Sequence, residues 1–420
     1  MRNGASPDLR KLEILAMLVA RKRKSKTQRA QRALSALLLI ALFILAFDVN
    51  AYWQIPAAGK TGSGQLHGGI EINPEGIKAA VIRVSDPEQG AGAEVIYTEV
   101  FNTALTRNQN GKVTPEAIKA ASQAILRFYT HMRRQYQVPP QQIYVISSSD
   151  LDADNLEELA NEVRNSSGAS ITFLSIESEV RLSIIGTIPR RYREGTTWFD
   201  NRSQSAVIDI GSDKTKAGYQ QFRQPLLGDP YYDFVAFEIS RGTTSFTDEV
   251  NRAAGEDSGI SKFAVSAKAL SESSIKAALR SELKKKPGLA YRKKIYLNGA
   301  IVRAMATLLH PEDRQSFITL TVDDINTFYQ RAVNSPQLLL NPSLSRIRND
   351  EARKEVEREL EAVRSAFTPK SLVAGAEILK AVASECNFQE EGKKILYARF
   401  SNMSSISSYL LLRAGDGPQP

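Results

Sequence analysis

Ile208-Asp209-Ile210-Gly211-Ser212-Asp213-Lys214-Thr215-Lys216-Ala217 has an upstream counterpart in Ile70-Glu71-Ile72-Asn73-Pro74-Glu75-Gly76-Ile77-Lys78-Ala79. Each stretch places a carboxylate at the end of an apolar run, then a turn, then a lysine seven residues after the carboxylate. Apolar runs on either side of Gly, Asn, Pro and Asp read as a β-hairpin. One such hairpin in each half of the chain, with an acid at its tip, predicts two similar lobes facing a shared phosphate or metal site.

Working outward, strands are expected at 69–72, 77–84 and 94–101, then a helix over 114–136 with Thr114 as cap and Pro115 in its first turn. A strand at 142–147, a helix at 152–165, a strand at 170–174 and a helix at 177–186 complete the first half. The second half restarts with strands at 206–210, 215–222 and 232–239, followed by helices at 244–253 and 263–286. A strand at 295–297, helices at 301–309, 351–366 and 372–386, a strand at 394–398 and a helix at 405–412 follow. This order predicts an α/β architecture with a mixed sheet in each lobe. The expected divisions are a basic tail (1–32), an anchor (33–53), a linker (54–66), lobe I (67–195), lobe II (196–412) and a tail (413–420). The polar stretch 195–205 marks the lobe boundary.

With 42% hydrophobic and 24% charged residues, the composition is that of a globular protein. The formal charge of +9 sits almost wholly in residues 1–33, which carry ten Lys/Arg and two acids. The remainder is close to neutral, so no nucleic-acid footprint is expected on the fold. A single cysteine, Cys386, excludes an internal disulfide and a cysteine-based metal site. His67, His131 and His310 are scattered, with no metal-ligand spacing among them.

Residues 33–47 read ALSALLLIALFILAF, follow a basic run, and are extended by Val49, Ala51, Tyr52 and Trp53 past Asp48. A single-pass anchor, a cleaved signal peptide and a buried helix are the three readings of this run. For an anchor, the flanking charge puts the N-terminus in the cytoplasm and the large domain on the far side. Residues 9–20 have the pattern of a short amphipathic helix, which could lie on anionic lipid or form part of a solvated tail.

Four stretches in register resemble the exopolyphosphatase/guanosine pentaphosphate phosphatase (Ppx/GppA) family. VISSSDLDADNLEELANEVRNSSGASITFLSIESEVRLSIIGT (145–187) is similar to the family's TSAxRxAxN strand end and SGEEEARLxxxG helix. VIDIGSDKTKAGY (207–219) is similar to VIDIGGGSTE, and YLNGAIVRAMATLLHP (296–311) to GGxxxxLAxLxxP. SLVAGAEILKAV (371–382) is a weaker match to xLPAGLAIL. The resemblance covers residues 66–412 and implies two duplicated ribonuclease-H-like lobes, as in actin, sugar kinases and heat-shock ATPases. It also implies hydrolysis of polyphosphate or a phosphorylated nucleotide.

On this resemblance Glu179 takes the place of the water-activating acid, and Asp209 and Glu71 would hold a divalent cation, Mg2+. Gly211, Ser212, Lys214, Thr215, Lys216 and Gly299 would bind phosphate. The chain also departs from the pattern. Two loop glycines are Ser212 and Asp213, and the family's serine and glutamate are Lys214 and Lys216. The clamping arginine is Leu151, the third-loop GG is Asn298-Gly299, and Pro74 and Glu75 interrupt the first loop. Pro74 has no N–H for a phosphate and Glu75 would repel one. Near the C-terminus the family's GLREG falls on residues 405–409, which have none of its residues.

Two readings follow: a membrane-anchored, Mg2+-dependent phosphohydrolase, or a catalytically impaired two-lobed phosphate-ligand sensor or scaffold. An actin-like filament is a third. The expected partners are the membrane through residues 33–53, a polyphosphate or nucleotide, and a second copy in a homodimer.

Overall fold

The computed structural model describes residues 64–85, 93–103, 105, 111–151, 153–189, 191–194, 197–225 and 231–415. The basic tail and the apolar run at 33–53 lie outside the described residues. Among the described residues no helix is long and apolar enough to cross a membrane.

Lobe I begins with β1 (Gly64–Asn73), β2 (Gly76–Ser85) and β3 (Ala93–Asn102). Helix α1 (Pro115–Gln135), β4 (Ile143–Ser147), α2 (Leu156–Ser167), β5 (Ile171–Phe173) and α3 (Ile176–Thr187) follow. The strands form one sheet in the order β3-β2-β1-β4-β5. Antiparallel pairing joins β1 to β2 and β2 to β3, and parallel pairing joins β1 to β4 and β4 to β5. Helix α1 starts as expected: the Thr114 hydroxyl accepts from the Ala117 amide at 3.2 Å, and Pro115 occupies the first turn, where its missing N–H costs nothing. Ile118, Ala121, Ile125, Phe128 and Met132 recur at helical spacing and pack against the sheet.

A short hairpin, β6 (Arg191–Glu194) and β7 (Thr197–Asp200), leads into lobe II. The stretch read from sequence as a polar boundary is therefore partly strand. Lobe II contains β8 (Ser205–Ile210), β9 (Thr215–Arg223) and β10 (Tyr231–Ile239). Then come α4 (Thr243–Ala254), α5 (Ile260–Leu270), a π-helical turn at Ser271–Ile275, and α6 (Lys276–Lys285). Next are β11 (Lys294–Asn298), α7 (Ala300–Leu309), β12 (Phe317–Leu320), α8 (Val322–Asn334), α9 (Pro336–Leu340), α10 (Asp350–Ala366), α11 (Pro369–Glu385), β13 (Lys394–Ala398) and α12 (Ser404–Gly415). Its sheet runs β10-β9-β8-β11-β13-β12, so its first five strands repeat the lobe I order.

Besides β6 and β7, three elements, β12, α8 and α9, were not read from the sequence. The signal for α8 was present: Thr321 and Asp324 form a reciprocal capping box, with the Asp324 amide donating to the Thr321 hydroxyl at 3.0 Å and the Thr321 amide to the Asp324 carboxylate at 2.8 Å. At the other end of the chain, β1 begins at Gly64, so the strand takes in the last residues read as linker.

The lobes exchange helices. Helix α3 belongs to lobe I in sequence, yet Val180 and Ile184 pack with Val207, Ala236 and Tyr296 of the lobe II sheet. Helix α12 ends lobe II in sequence, yet Ile406 and Tyr409, with Met403 just before the helix, pack with Ala80 and Ile146 of the lobe I sheet and with Leu182 of α3. A Cβ at Gly218 on β9 would lie 2.4 Å from Val180, so glycine is what lets α3 approach this closely.

Candidate functional site

The two hairpins noticed in the sequence have the same register. Glu71 stands opposite Lys78 across β1 and β2, and Asp209 opposite Lys216 across β8 and β9. Directly opposed residues of an antiparallel pair share a face, so each acid and its lysine lie on one side of their sheet. Across β9 and β10, Lys216 also faces Glu238, giving an acid–lysine–acid row in lobe II. The corresponding row in lobe I is Glu71, Lys78 and Val100.

Glu179, in the first turn of α3, is 5% exposed. Its Oε1 accepts from the Ser148 hydroxyl at 2.9 Å and from the Lys216 ammonium at 2.6 Å. Its Oε2 accepts from the Ser149 amide at 2.9 Å and the Ser149 hydroxyl at 2.5 Å. Lys216 Nζ also lies 3.1 Å from Asp150 Oδ2. Glu71, Asp150, Glu179, Asp209 and Lys216 thus form one interacting set drawn from both lobes.

Electrostatics divide the set. Burial pushes the Glu71 and Asp209 carboxyls above the usual range, and the nearby lysines offset this only in part. Burial also pushes Asp150 up, to about 7, against the pull of Lys216. Burial would raise Glu179 too, but the Lys216 ammonium and the Ser149 hydrogen bonds outweigh it and hold this carboxyl at about 2. Lys216 is pushed down by burial and, more strongly, up by Glu179, Asp150 and Asp209, so it remains an ammonium.

The residues expected to bind phosphate are divided among different tasks. Lys214 reaches the Ser149 carbonyl at 3.4 Å and Glu238 at 3.3 Å. The Thr215 hydroxyl donates to the Arg241 carbonyl at 2.8 Å. The Ser212 carbonyl accepts from the Thr244 and Ser245 amides at the start of α4, and the Gly211 amide donates to the Lys214 carbonyl. Gly299 has φ +107°, and a Cβ there would lie 2.1 Å from the Ile210 carbonyl oxygen, so this turn requires glycine. Leu151, where the resemblance implies an arginine, is buried in the lobe I core.

The lobes meet closely at this point. A Cβ on Gly211 would lie 2.6 Å from Asp150 Oδ2. The space beside the cluster is a cavity of about 10 Å³, lined by residues including Glu179, Ser183, Asp209 and Lys216. That is room for about one water.

Sequence reading missed Ser148, Ser149 and Asp150. Asp150 falls on a free position of the family motif, so only its place at the end of β4, facing the second hairpin, reveals its part. A divalent cation does not fit the set as it stands. Among the described residues no group of three or more His, Cys, Asp or Glu side chains is arranged to hold a metal ion. A lysine ammonium occupies the space between the acids instead.

With this geometry established, solved structures supply a match. The chain is similar to the PPX-GPPA enzyme of Aquifex aeolicus, with 15% identity, a TM-score of 0.54, and coverage of 83% of this chain and 99% of that one. The fold is that of the Ppx/GppA phosphohydrolases. An exopolyphosphatase from Cytophaga hutchinsonii matches with 12% identity and a TM-score of 0.58, over 83% of this chain and 98% of the other. An exopolyphosphatase-like protein matches with 16% identity and a TM-score of 0.54, over 79% and 94%. No family sequence model and no curated protein matches the chain. At these identities the likeness establishes the two-lobed fold, as the sequence motifs had implied.

Proposed function

We propose that this chain is a Ppx/GppA-fold scaffold that does not turn over phosphoanhydrides. The observation that carries this reading is the saturation of Glu179. A carboxylate offers about four acceptor positions. Here Ser148, Lys216 and the Ser149 amide and hydroxyl occupy four. A carboxylate with no acceptor position left, held at about 2, is a poor base for a water nucleophile. The cavity beside it has no space for a polyphosphate chain or a nucleotide. The glycines, arginine and glutamate lost from the phosphate loops favour the same reading.

The hydrolase reading keeps one specific observation in its favour: Glu179 still stands at the lobe junction with Asp209 across from it. One assay decides between the two. Full-length protein in detergent with MgCl2 is given polyphosphate and nucleoside polyphosphates, and phosphate release is followed. The expected rate is the same, within about twofold, for wild type and Glu179→Gln. Release by wild type that drops tenfold or more in the variant overturns the scaffold reading and establishes the hydrolase.

The proposal includes a membrane anchor at residues 33–53, with the basic tail in the cytoplasm and the lobes on the far side. The basic residues crowded before residue 33 support this orientation. Protease added to sealed vesicles should digest the lobes only from the side they face. Homodimer formation is a further expectation, accessible to light scattering.

A further inference from the structure

We infer that the Lys216 ammonium stands in the place of a divalent cation, so that the chain fills its own cation position and joins its lobes without metal. The inference rests on the scaffold reading for its meaning, but its test does not involve turnover.

The first support is position. Lys216 is 3% exposed, and it extends from the lobe II strand β9 to Glu179 on the exchanged helix α3 at 2.6 Å and to Asp150 of lobe I at 3.1 Å. Asp209, its cross-strand neighbour, supplies a lobe II carboxylate. A cation held by acids from both lobes is what a bound divalent ion would be at this place.

The second support is distance. Carboxylate oxygens ligate Mg2+ at about 2.0–2.1 Å. The acids here stand at ammonium distances from Nζ, so with the ammonium in place they do not close on a metal. This accounts for the lack of a metal-ligand group among the described residues even though acids abound.

The third support is what remains unsatisfied. Glu71 Oε2 and Asp150 Oδ1 are buried oxygens without a hydrogen-bond partner, on residues 3% and 8% exposed. One ammonium has three protons to give, and it cannot satisfy this many oxygens. A set with more acceptors than its cation can serve carries the mark of a site built for greater positive charge. The sequence supplies the substitution: the position that holds a glutamate in the family pattern holds Lys216 here.

The test is thermal unfolding of full-length protein in detergent, in EDTA and in MnCl2, for wild type, Lys216→Arg and Lys216→Met. Wild type and Lys216→Arg should unfold at the same midpoint in both conditions, within about 1 °C. Lys216→Met should unfold several degrees lower in EDTA and recover at least half of that loss in MnCl2. A wild-type midpoint that rises by several degrees in MnCl2 overturns the inference, because the position would then still accept metal. So does a folded Lys216→Met indifferent to MnCl2. If Lys216→Met fails to fold in EDTA, folding restored by MnCl2 supports the inference. Failure to fold in both conditions overturns it, because no divalent ion would then replace the ammonium. Phosphate release by wild type would remove the scaffold reading while leaving this result standing.

Discussion

Lys78 and Lys216 occupy the same register position of two hairpins that start two sheets of the same strand order, yet their surroundings differ. Lys216 is buried, with an acid opposite it on each neighbouring strand and two more reaching it, Asp150 from the other lobe and Glu179 from the exchanged helix α3. Lys78 is half-buried, with Glu71 on one side and Val100 on the other. The hairpin therefore sets where the lysine points, while the third strand and the opposite lobe set what it does. A duplicated local pattern has become an ion pair that reaches the other lobe in one copy and a cross-strand juxtaposition at a half-buried lysine in the other.

The largest expected effect tests that contrast directly. In EDTA, Lys216→Met leaves Glu179 and Asp150 buried without their counter-charge, and removing one partner of a buried pair costs about 3–5 kcal/mol. Lys78→Met, at the half-buried position, should cost no more than about 1 kcal/mol. Urea unfolding of both variants measures the difference, and equal costs would break the comparison.

The next effect is on pH dependence. Unfolded, Asp150 titrates near 3.8; folded, it is pushed up to about 7. Between those values the folded state holds the extra proton, so stability falls as pH rises from about 4 to 7. Glu71 and Asp209, also raised by burial, act in the same direction. Glu179, lowered to about 2 from 4.5, contributes stability that is present above pH 4.5 and lost as pH falls toward 2. Stability should therefore be highest near about pH 4.5 and decline toward neutrality. Asp150→Asn should flatten that decline when urea midpoints are compared between pH 4.5 and 8. An undiminished slope in the variant would place the extra proton elsewhere in the set.

The smallest effect sharpens the difference in the third strand. Glu238→Val gives lobe II the same acid–lysine–valine row as lobe I. It removes a partly exposed pair with Lys214 at 3.3 Å and should cost about 1 kcal/mol or less. A cost matching that of Lys216→Met would mean that the β10 acid, and not the lobe I acids, carries the interaction.

Local signals set most elements within a few residues. Thr114-Pro115 located the start of α1, and the acid-to-lysine spacing located both hairpins and their register. Between α7 and α10, β12 is four residues long and α9 only five, too short for a periodic signal, whereas α8 is thirteen residues long and its Thr321/Asp324 capping box was a legible signal that went unused. The site divides in the same way. Asp209, Glu71 and Glu179 could be named from sequence, because motif spacing places them at the ends of strands and the start of a helix. What Glu179 does could not, since that depends on Ser148, Ser149 and Lys216, two loop residues and a strand residue brought to it by folding.

The sequence by itself determined the two hairpins, the succession of five strands along each lobe, and the acids at the hairpin tips and on α3. Those features follow from alternation, turn chemistry and capping, which act over a few residues. Tertiary structure decided that Lys216 would neutralise lobe I acids and that the lobes would exchange α3 and α12. It also left a void of only about 10 Å³ beside Glu179 and Lys216. Those outcomes arise from desolvation and from charges meeting across a sequence separation of 37 or more, which no local pattern encodes.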